Sequence, residues 1–178
     1  LKKAPATPPP LAPSYCHRIQ QEQRAMQDAK HHEFWQQELI EFPHTEILPW
    51  QREQPDDNGF VMSPVTLEKP LTQKLVTLAA HLDVSLDVVI LTAIIKLLAL
   101  LSGNSEEVLL GVVFHGRPAI KNSDQTLGLF LNTLPFRQFL SETNWQQLIQ
   151  AVAKKKATLT AHRHYPLMQI QKNLQVDR

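Results

Sequence analysis

The stretch that decides the fold runs from Glu106 to Arg137 and reads EEVLLGVVFHGRPAIKNSDQTLGLFLNTLPFR. An apolar run over Val108–Phe114 ends at the tetrapeptide HGRP, and a polar loop then leads to a second apolar run over Leu127–Phe136. Short apolar runs that are rich in β-branched residues and bounded by turn residues are typical of buried strands. The pattern therefore predicts two core strands joined by a loop, with the second strand over Thr133–Phe139.

Three polar residues in this stretch are candidate site residues. Gly116 allows a backbone conformation that is closed to other residues, and Pro118 stiffens the exit, so the Arg117 guanidinium is held at a strand end. There it could anchor a carboxylate or backbone carbonyls, and substrate contact and a salt bridge between elements both fit. Asn132 and Thr133 lie inside the second apolar run. A buried Asn needs partners, so it either pairs with backbone or faces a cavity or channel.

The composition narrows the class of protein. The chain has 178 residues, 43% of them hydrophobic, and a net charge of +1, as expected for one domain of ordinary size. Such a charge balance predicts neither a nucleic-acid surface nor a membrane surface. Cys16 is the single cysteine, so no internal disulfide can form, and we expect a reducing, cytoplasmic location.

The ends of the chain suggest a part of something larger. Residues Leu1–Pro13 are rich in Pro and predict an extended connector between domains or lobes. The chain stops at Arg178 without an evident domain end. We therefore expect it to be a piece of a longer protein.

The remaining pattern predicts several helices and one further strand. Ser14 is the expected N-cap of one long helix over Tyr15–Leu39, a loop follows over Phe42–Gly59, and an edge strand fits Phe60–Leu67. The apolar run Leu86–Leu101 would span roughly 24 Å as a helix, short of a ~30 Å hydrocarbon core, so we expect a buried core helix there. The other predicted helices are Pro70 to Leu82, one capped by Asn144 with Trp145, Leu148, Ile149, Val152 and Leu159 on one face, and Pro166 to about Leu174.

Four histidines form two clusters, His31-His32 and His162 with His164. Neighbours at these spacings do not share one helix face, and no Cys or carboxylate completes a set of four ligands. We expect these histidines to be structural or exposed, and we predict no metal site. With five glycines and no G-x-S-x-G sequence, neither a phosphate loop nor a serine nucleophile is indicated.

Four motifs in the chain resemble those of nonribosomal peptide synthetase condensation domains. LGLFLNTLPFR over 127–137 resembles the family's G-x-F-x-N-T-L-x-x-R motif, and GVVFHGRP over 111–118 is similar to its strand and turn ending in G-R-P. HRHYPL over 162–167 resembles its H-x-x-x-P-[FL] motif. Ser14-Tyr15, followed by FWQQEL over 34–39, resembles the passage that crosses between the family's two lobes.

The resemblance implies an α/β fold like that of chloramphenicol acetyltransferase, with a mixed β-sheet packed by helices. In such proteins two lobes form a V with a channel between them. Residues 1–13 would be the interlobe linker, and residues 14–178 the C-terminal lobe, truncated at its C-terminal end. The family transfers an acyl or aminoacyl group from the thioester of one phosphopantetheinyl carrier protein to the amine on a second, and forms an amide.

The resemblance also implies which residues matter. The family's catalytic H-H-x-x-x-D-G signature belongs to the N-terminal lobe, and here His31-His32 is followed by EFWQQ without Asp-Gly. No catalytic residue is therefore expected in this chain, and we predict that the chain alone is inactive. Asn132 and Thr133 would face the substrate channel, and Arg117 would be a structural anchor beside it.

The expected partners are the N-terminal lobe of the same domain and the donor and acceptor peptidyl carrier proteins. We expect no directly bound cofactor, because the phosphopantetheine is carried by those partners. An isolated lobe would expose an apolar face and self-associate. Three alternatives stay open: an epimerisation domain lobe, a stand-alone acyltransferase lobe, and a non-catalytic condensation-like module that binds a carrier protein.

Overall fold

The computed structural model describes residues 15–40, 64–103, 106–119, 122–141 and 144–174. The predicted linker 1–13, the Ser14 cap, the loop 42–59 and the first residues of the predicted edge strand lie outside them. In chain order the elements are α1 Cys16–Gln27, α2 Ala29–Glu38, α3 Lys69–His81, α4 Leu86–Ser102, β1 Glu107–His115, a short 3-10 turn Ser123–Gln125, β2 Leu131–Phe139, α5 Trp145–Ala161 and α6 Leu167–Asn173.

The two predicted core strands, β1 and β2, pair with each other as an antiparallel sheet. The Gly116 N–H donates to the Phe130 carbonyl at 2.6 Å, and the Leu140 N–H donates to the Glu106 carbonyl at 2.7 Å. The start of one strand thus lies beside the end of the other. The described residues form this two-stranded sheet where we expected a mixed sheet, which requires at least a third strand.

The long helix predicted over Tyr15–Leu39 is wrong in one respect, because it is two helices that meet at Asp28. The backbone of Asp28 is extended, with φ −84° and ψ 112°. Its carboxylate accepts a hydrogen bond of 3.0 Å from the Lys30 N–H, which caps α2. Asp competes in this way with the helical hydrogen bonds of the backbone, so it favours a helix start over a helix interior.

The predicted strand over Phe60–Leu67 is also wrong within its described part. Residues Pro64 to Leu67 have no regular structure and are exposed. Pro64 lacks the N–H that a ladder hydrogen bond needs, which explains why pairing does not extend through it.

The chain divides into two compact units. The first comprises Leu1–Ile40, Gly111–Pro135 and Leu159–Arg178, and the second comprises Glu41–Leu110 and Phe136–Thr158. In the first unit α2 contacts α1 and α6, and in the second α3 contacts α4. The core of the first unit includes the fully buried side chains Trp35, Leu134, Leu159, Tyr165 and Ile170, and that of the second includes Ile95, Phe136 and Val152.

Helix α4 was expected to be a buried core helix, and this is correct for one side of the helix. Ile95 and Thr92 are fully buried, but the opposite side of the helix is exposed. The exposed residues follow helical spacing, with 40% of Ile90, 43% of Ile94, 53% of Leu97 and 36% of Leu101 accessible. A helix that is apolar all round is stable when every side packs against other residues, and in the described part of the second unit only one side of α4 does so.

The predicted helix ends are confirmed at two places. Asn144 Oδ1 accepts a 2.9 Å hydrogen bond from the Gln147 N–H at the start of α5. Gly103 follows α4 with a left-handed φ of 68°, as a C-terminal glycine should. On the predicted apolar face of α5, Leu148, Ile149, Val152 and Leu159 are buried, whereas 57% of Trp145 is exposed.

Among the described residues, no single helix has the length and apolar character needed to cross a membrane. The pair α3 and α4 meets the length and composition criteria only when taken together, and it is bent by 105°.

Candidate functional site

Within the first unit, residues from three of the sequence motifs meet at Phe130, and we call this place the motif junction. Tyr15 packs edge-on against Phe130, with the ring centroids 5.2 Å apart, and its hydroxyl donates to the Leu129 carbonyl at 2.7 Å. The Tyr15 ring occupies the space that a side chain on Gly128 would need. Gly128 also has a φ of +146°, which L residues rarely adopt. The Gly of the G-x-F motif therefore makes room for the Tyr that precedes α1.

Arg117 closes the loop between the two strands. Its Nη1 donates to the carbonyl of Ser123 and, at 2.9 Å, to the carbonyl of Thr126. The guanidinium also lies over the Phe130 ring, 4.1 Å from the ring centroid. Arginine suits this position because its planar group can donate several hydrogen bonds and stack on a ring at the same time.

Gly116 lets the strand end approach β2 closely. The residue is buried, and a Cβ atom on it would lie 3.2 Å from the Phe130 carbonyl oxygen. Any larger residue would disturb the 2.6 Å hydrogen bond from Gly116 to Phe130. This contact explains the glycine of the G-R-P motif in packing terms.

Asn132 joins β2 to the turn that precedes α6. Its Nδ2 donates to the carbonyls of Arg163 at 2.9 Å and Tyr165 at 2.8 Å. The sequence left open whether Asn132 pairs with backbone or faces a cavity or channel, and in the structure it pairs with backbone. The Asn of the N-T-L motif thereby holds the H-x-x-x-P motif in place.

Asn132 and Thr133 point to opposite faces of the sheet, since successive strand residues alternate. Leu131 and Val113, 49% and 59% exposed, mark the open face on which Thr133 lies. A Cβ atom on Gly111 would lie 3.0 Å from the Thr133 γ-methyl. The structure therefore does not place the two predicted channel residues on one surface, and the assignment of each to a channel stays a prediction.

Arg137, the last residue of the β2 motif, belongs to the second unit. Its Nε donates to the Glu107 carboxylate at 2.5 Å, and both side chains are about nine-tenths buried. The guanidinium also lies 4.8 Å from the centroid of Phe139. Removing either partner would leave a buried charge without its counterion, so this pair is structural.

The histidines of both clusters meet in the first unit. His31 Nδ1 and His162 Nδ1 are 2.7 Å apart and share a hydrogen bond. The His162 ring stacks on Phe34 with a centroid distance of 3.7 Å and an interplanar angle of 9°. His32 Nδ1 instead contacts Asn173 Nδ2 at 2.7 Å. Adjacent histidines thus have different partners, as their helical spacing requires.

Two of these histidines are held neutral. Burial, followed by His31, lowers the pKa of His162 to about 4, although Asp28 opposes the shift. Burial, followed by Arg163, Arg18 and His31, lowers the pKa of His164 to about 4. In the described part of the chain no three His, Cys, Asp or Glu side chains are arranged to hold a metal ion.

Sequence reasoning missed two features of this region. Arg18 is 4% exposed, and no pattern in the polar first half of the predicted helix marks it as buried. The contact between His31 and His162 joins residues 131 positions apart, and periodicity carries no information on such pairs. Only the motif resemblance places these two segments in one domain.

Comparisons with known proteins agree with this architecture. The chain is 38% identical over 108 residues to tyrocidine synthase 2 of Brevibacillus parabrevis, a match that covers 60% of this chain and 3% of the relative. It is 30% identical over 156 residues to malpinin synthetase of Mortierella alpina, a match that covers 86% of this chain and 2% of the relative. The chain therefore spans a small part of these curated relatives.

Solved structures share the fold. The X-domain from teicoplanin biosynthesis superposes with a TM-score of 0.78 at 18% identity, covering 99% of this chain and 41% of that one. VibH, a condensation enzyme of nonribosomal peptide synthesis, gives a TM-score of 0.73 at 20% identity, covering 96% of this chain and 40% of that one. The predicted α/β fold of the chloramphenicol acetyltransferase type is confirmed.

The motif junction, the shared fold and the sequence relatives point the same way. The family model described as "Condensation domain" matches residues 1–178, the whole chain. This chain belongs to the condensation domain family.

Proposed function

We propose that this chain is the C-terminal lobe of a nonribosomal peptide synthetase condensation domain. Such a domain forms an amide between an acyl or aminoacyl group on one phosphopantetheinyl carrier protein and the amine on a second. The observation that carries the proposal is the match of the condensation domain family to residues 1–178. The contacts of Tyr15, Gly116 and Arg117 with Phe130 support it, and so do the hydrogen bonds from Asn132 to the Arg163 and Tyr165 carbonyls, because together they join the four motifs.

In this proposal the lobe positions the substrate and the N-terminal lobe supplies the catalytic histidine. Holding two carrier-bound groups in reactive geometry lowers the barrier to their reaction without any group on this chain entering the bond changes. Thr133 is the proposed contact with the pantetheine arm or the intermediate, because its sheet face is open. Asn132 and Arg117 would set the shape of that wall through the backbone carbonyls that they hold.

The isolated chain would be inactive, the donor and acceptor carrier proteins would be its partners, and phosphopantetheine would arrive attached to them. We propose a cytoplasmic location on the ground that the single cysteine, Cys16, gives no internal disulfide.

The test is a reaction between two loaded carrier proteins, with the intact protein that contains this chain as the enzyme. We expect a new amide on the acceptor carrier, detected by mass spectrometry of its phosphopantetheine ejection ion. Inversion of the α-carbon of the thioester without transfer would instead support an epimerisation domain. Carrier binding with neither reaction would support a non-catalytic module.

The same reaction with the 178-residue chain alone separates the lobe from the domain. We expect no product above the uncatalysed aminolysis rate, because the proposal places the catalytic histidine elsewhere. Product formed by this chain at a rate near that of the intact protein would contradict the division of roles between the lobes.

A further inference from the structure

Arg18 on α1 is a buried cation beside the motif junction. Only 4% of the residue is exposed, and within the described residues its Nε and Nη1 atoms have no hydrogen-bond acceptor. A guanidinium stays charged at every physiological pH and has no acceptor atoms of its own. Buried donors without an acceptor are destabilising, so this group needs one.

Glu22 meets that need only in part. Its Oε2 lies 3.4 Å from Arg18 Nη1, which makes an ion pair one helical turn apart. The contact does not have the geometry of a hydrogen bond, and the Glu22 side chain is 32% exposed. Glu22 therefore offsets some of the charge and leaves the Arg18 Nε–H without an acceptor.

His164 provides a second polar group at the same place. A Cβ atom built on Gly116 would lie 3.5 Å from Arg18 Nε and 3.5 Å from His164 Cε1, so the two side chains converge there. The Nδ1 atom of His164 is buried and has no partner in the described part of the chain. Besides burial, the groups that act on His164 are Arg163, Arg18 and His31, all of which disfavour its protonation. The surroundings of His164 are thus cationic.

We propose that Arg18 and His164 form a binding site for a single oxyanion, a phosphate or a carboxylate group. Two edges of a guanidinium can each donate to an oxyanion, and such charge-assisted hydrogen bonds are about twice as strong as neutral ones. The imidazole of His164 donates to the same group once it is protonated. A bound anion favours that protonation, since an opposite charge nearby stabilises the charged ring. The site is independent of the proposed amide-forming reaction.

Hydrogen exchange of the intact protein tests the site directly. Exchange is followed in peptides covering α1 and residues 162–166, in sodium phosphate, sodium acetate and sodium chloride of equal ionic strength. At an anion concentration ten times the dissociation constant, local opening should slow by about tenfold. Protection by phosphate and not acetate identifies a phosphoryl site, and protection by acetate identifies a carboxylate site. Equal exchange in all three salts overturns the proposal.

Two variants on the same helix separate the site from a general salt effect. Arg18→Met keeps an apolar stem of similar size and removes the donors, so the anion-dependent protection should vanish. Arg24→Met, at an exposed position six residues further along α1, should keep it. Protection that persists in Arg18→Met would rule out the site.

If Arg18→Met does not fold, the anion site can still be tested by a titration of His164 in the unmodified protein. The pKa of His164, about 4 without an anion, is followed by NMR titration of its ring protons. We expect the bound oxyanion to raise this pKa by about one unit or more. An unchanged pKa in both phosphate and acetate would contradict the proposal.

Discussion

Adjacent residues of the β2 motif have different surroundings, and this separates their roles. Asn132 donates both amide protons to backbone carbonyls of the 163–165 turn. Thr133 lies on the other face, among the exposed residues Leu131 and Val113. The motif sequence alone does not distinguish the surroundings of Asn132 from those of Thr133. Strand alternation does, and it assigns Asn132 to the architecture and leaves Thr133 as the proposed substrate contact.

The stability of the domain should depend on Asn132 and hardly on Thr133. Asn132→Leu removes two hydrogen bonds and leaves two half-buried carbonyls without donors, so we expect a loss of about 2 kcal/mol in the free energy of unfolding. Thr133→Val keeps the shape and should change it by less than about 0.5 kcal/mol. Urea unfolding followed by tryptophan fluorescence measures both. Equal losses in the two variants would contradict this separation.

Gly128 should not tolerate a methyl group. A Cβ atom there overlaps the Tyr15 ring, and the φ of +146° is unfavourable for alanine. We expect Gly128→Ala to lower the free energy of unfolding by about 2 kcal/mol or more. Gly103→Ala is the matched control, because it also has a positive φ but open space around its Cβ, and it should cost only about 1 kcal/mol. A cost no larger than that of the control would disprove the Tyr15 contact.

At the scale of elements, capping residues and apolar runs predicted the helices and strands correctly, because these signals act within about one turn. The element ends predicted from Asn144, Gly103 and the two apolar runs of β1 and β2 lie within a few residues of those observed. The break at Asp28 was missed because a weak apolar stripe continues on both sides of it. The helix is interrupted there by the Asp28 carboxylate, which caps α2, and not by Gly or Pro, which are stronger signals of a helix end.

The packing of α2 against the turn after α5 should weaken in mild acid. His162 and His164 have pKa values of about 4 in the folded chain, against 6.5 for an ordinary histidine. Between these values the unfolded chain binds protons that the folded chain does not. The free energy of unfolding should therefore be largest above pH 6.5 and fall as the pH is lowered towards 4.

Unfolding measured at a series of pH values between about 7 and about 4.5 tests this directly. His162→Gln should take up about one proton fewer on unfolding, so its stability should depend less steeply on pH than that of the unmodified chain. A slope that is the same in both proteins would show that His162 is not held neutral in the folded chain.

At the scale of the molecule, the family and the fold could be predicted from the sequence. Which side chains contact each other across the chain could not. Four motifs identified the family because they occur in the right order over nearly the whole chain, whereas any one of them alone would be a weak signal. The pairing of His31 with His162 and the burial of Arg18 depend on residues far apart in the chain, and no local pattern encodes them. The motif resemblance also grouped Asn132 with Thr133, and only the strand geometry separated them.

The exposed side of α4 should make the isolated chain self-associate. Ile90, Ile94 and Leu97 form an apolar stripe on it, and Leu100 beside them is 79% exposed. Burying such a stripe is favourable by roughly 25 cal/mol per Å². Light scattering should give a mass above that of one chain, and Ile94→Glu with Leu97→Glu should return it to one chain. A monomer at all concentrations before substitution would contradict this.

We propose that β2 has a structural face and a substrate face within an amide-forming domain. Single-turnover amide formation between two loaded carrier proteins, catalysed by the intact protein, tests it most directly. Thr133→Trp should slow the reaction by at least about tenfold by displacing the substrate, while hydrogen exchange of β2 shows that the strand is retained. Thr77→Trp on the exposed side of α3 should react at the original rate. An unchanged rate in Thr133→Trp, or no amide from the unmodified protein, would contradict the account.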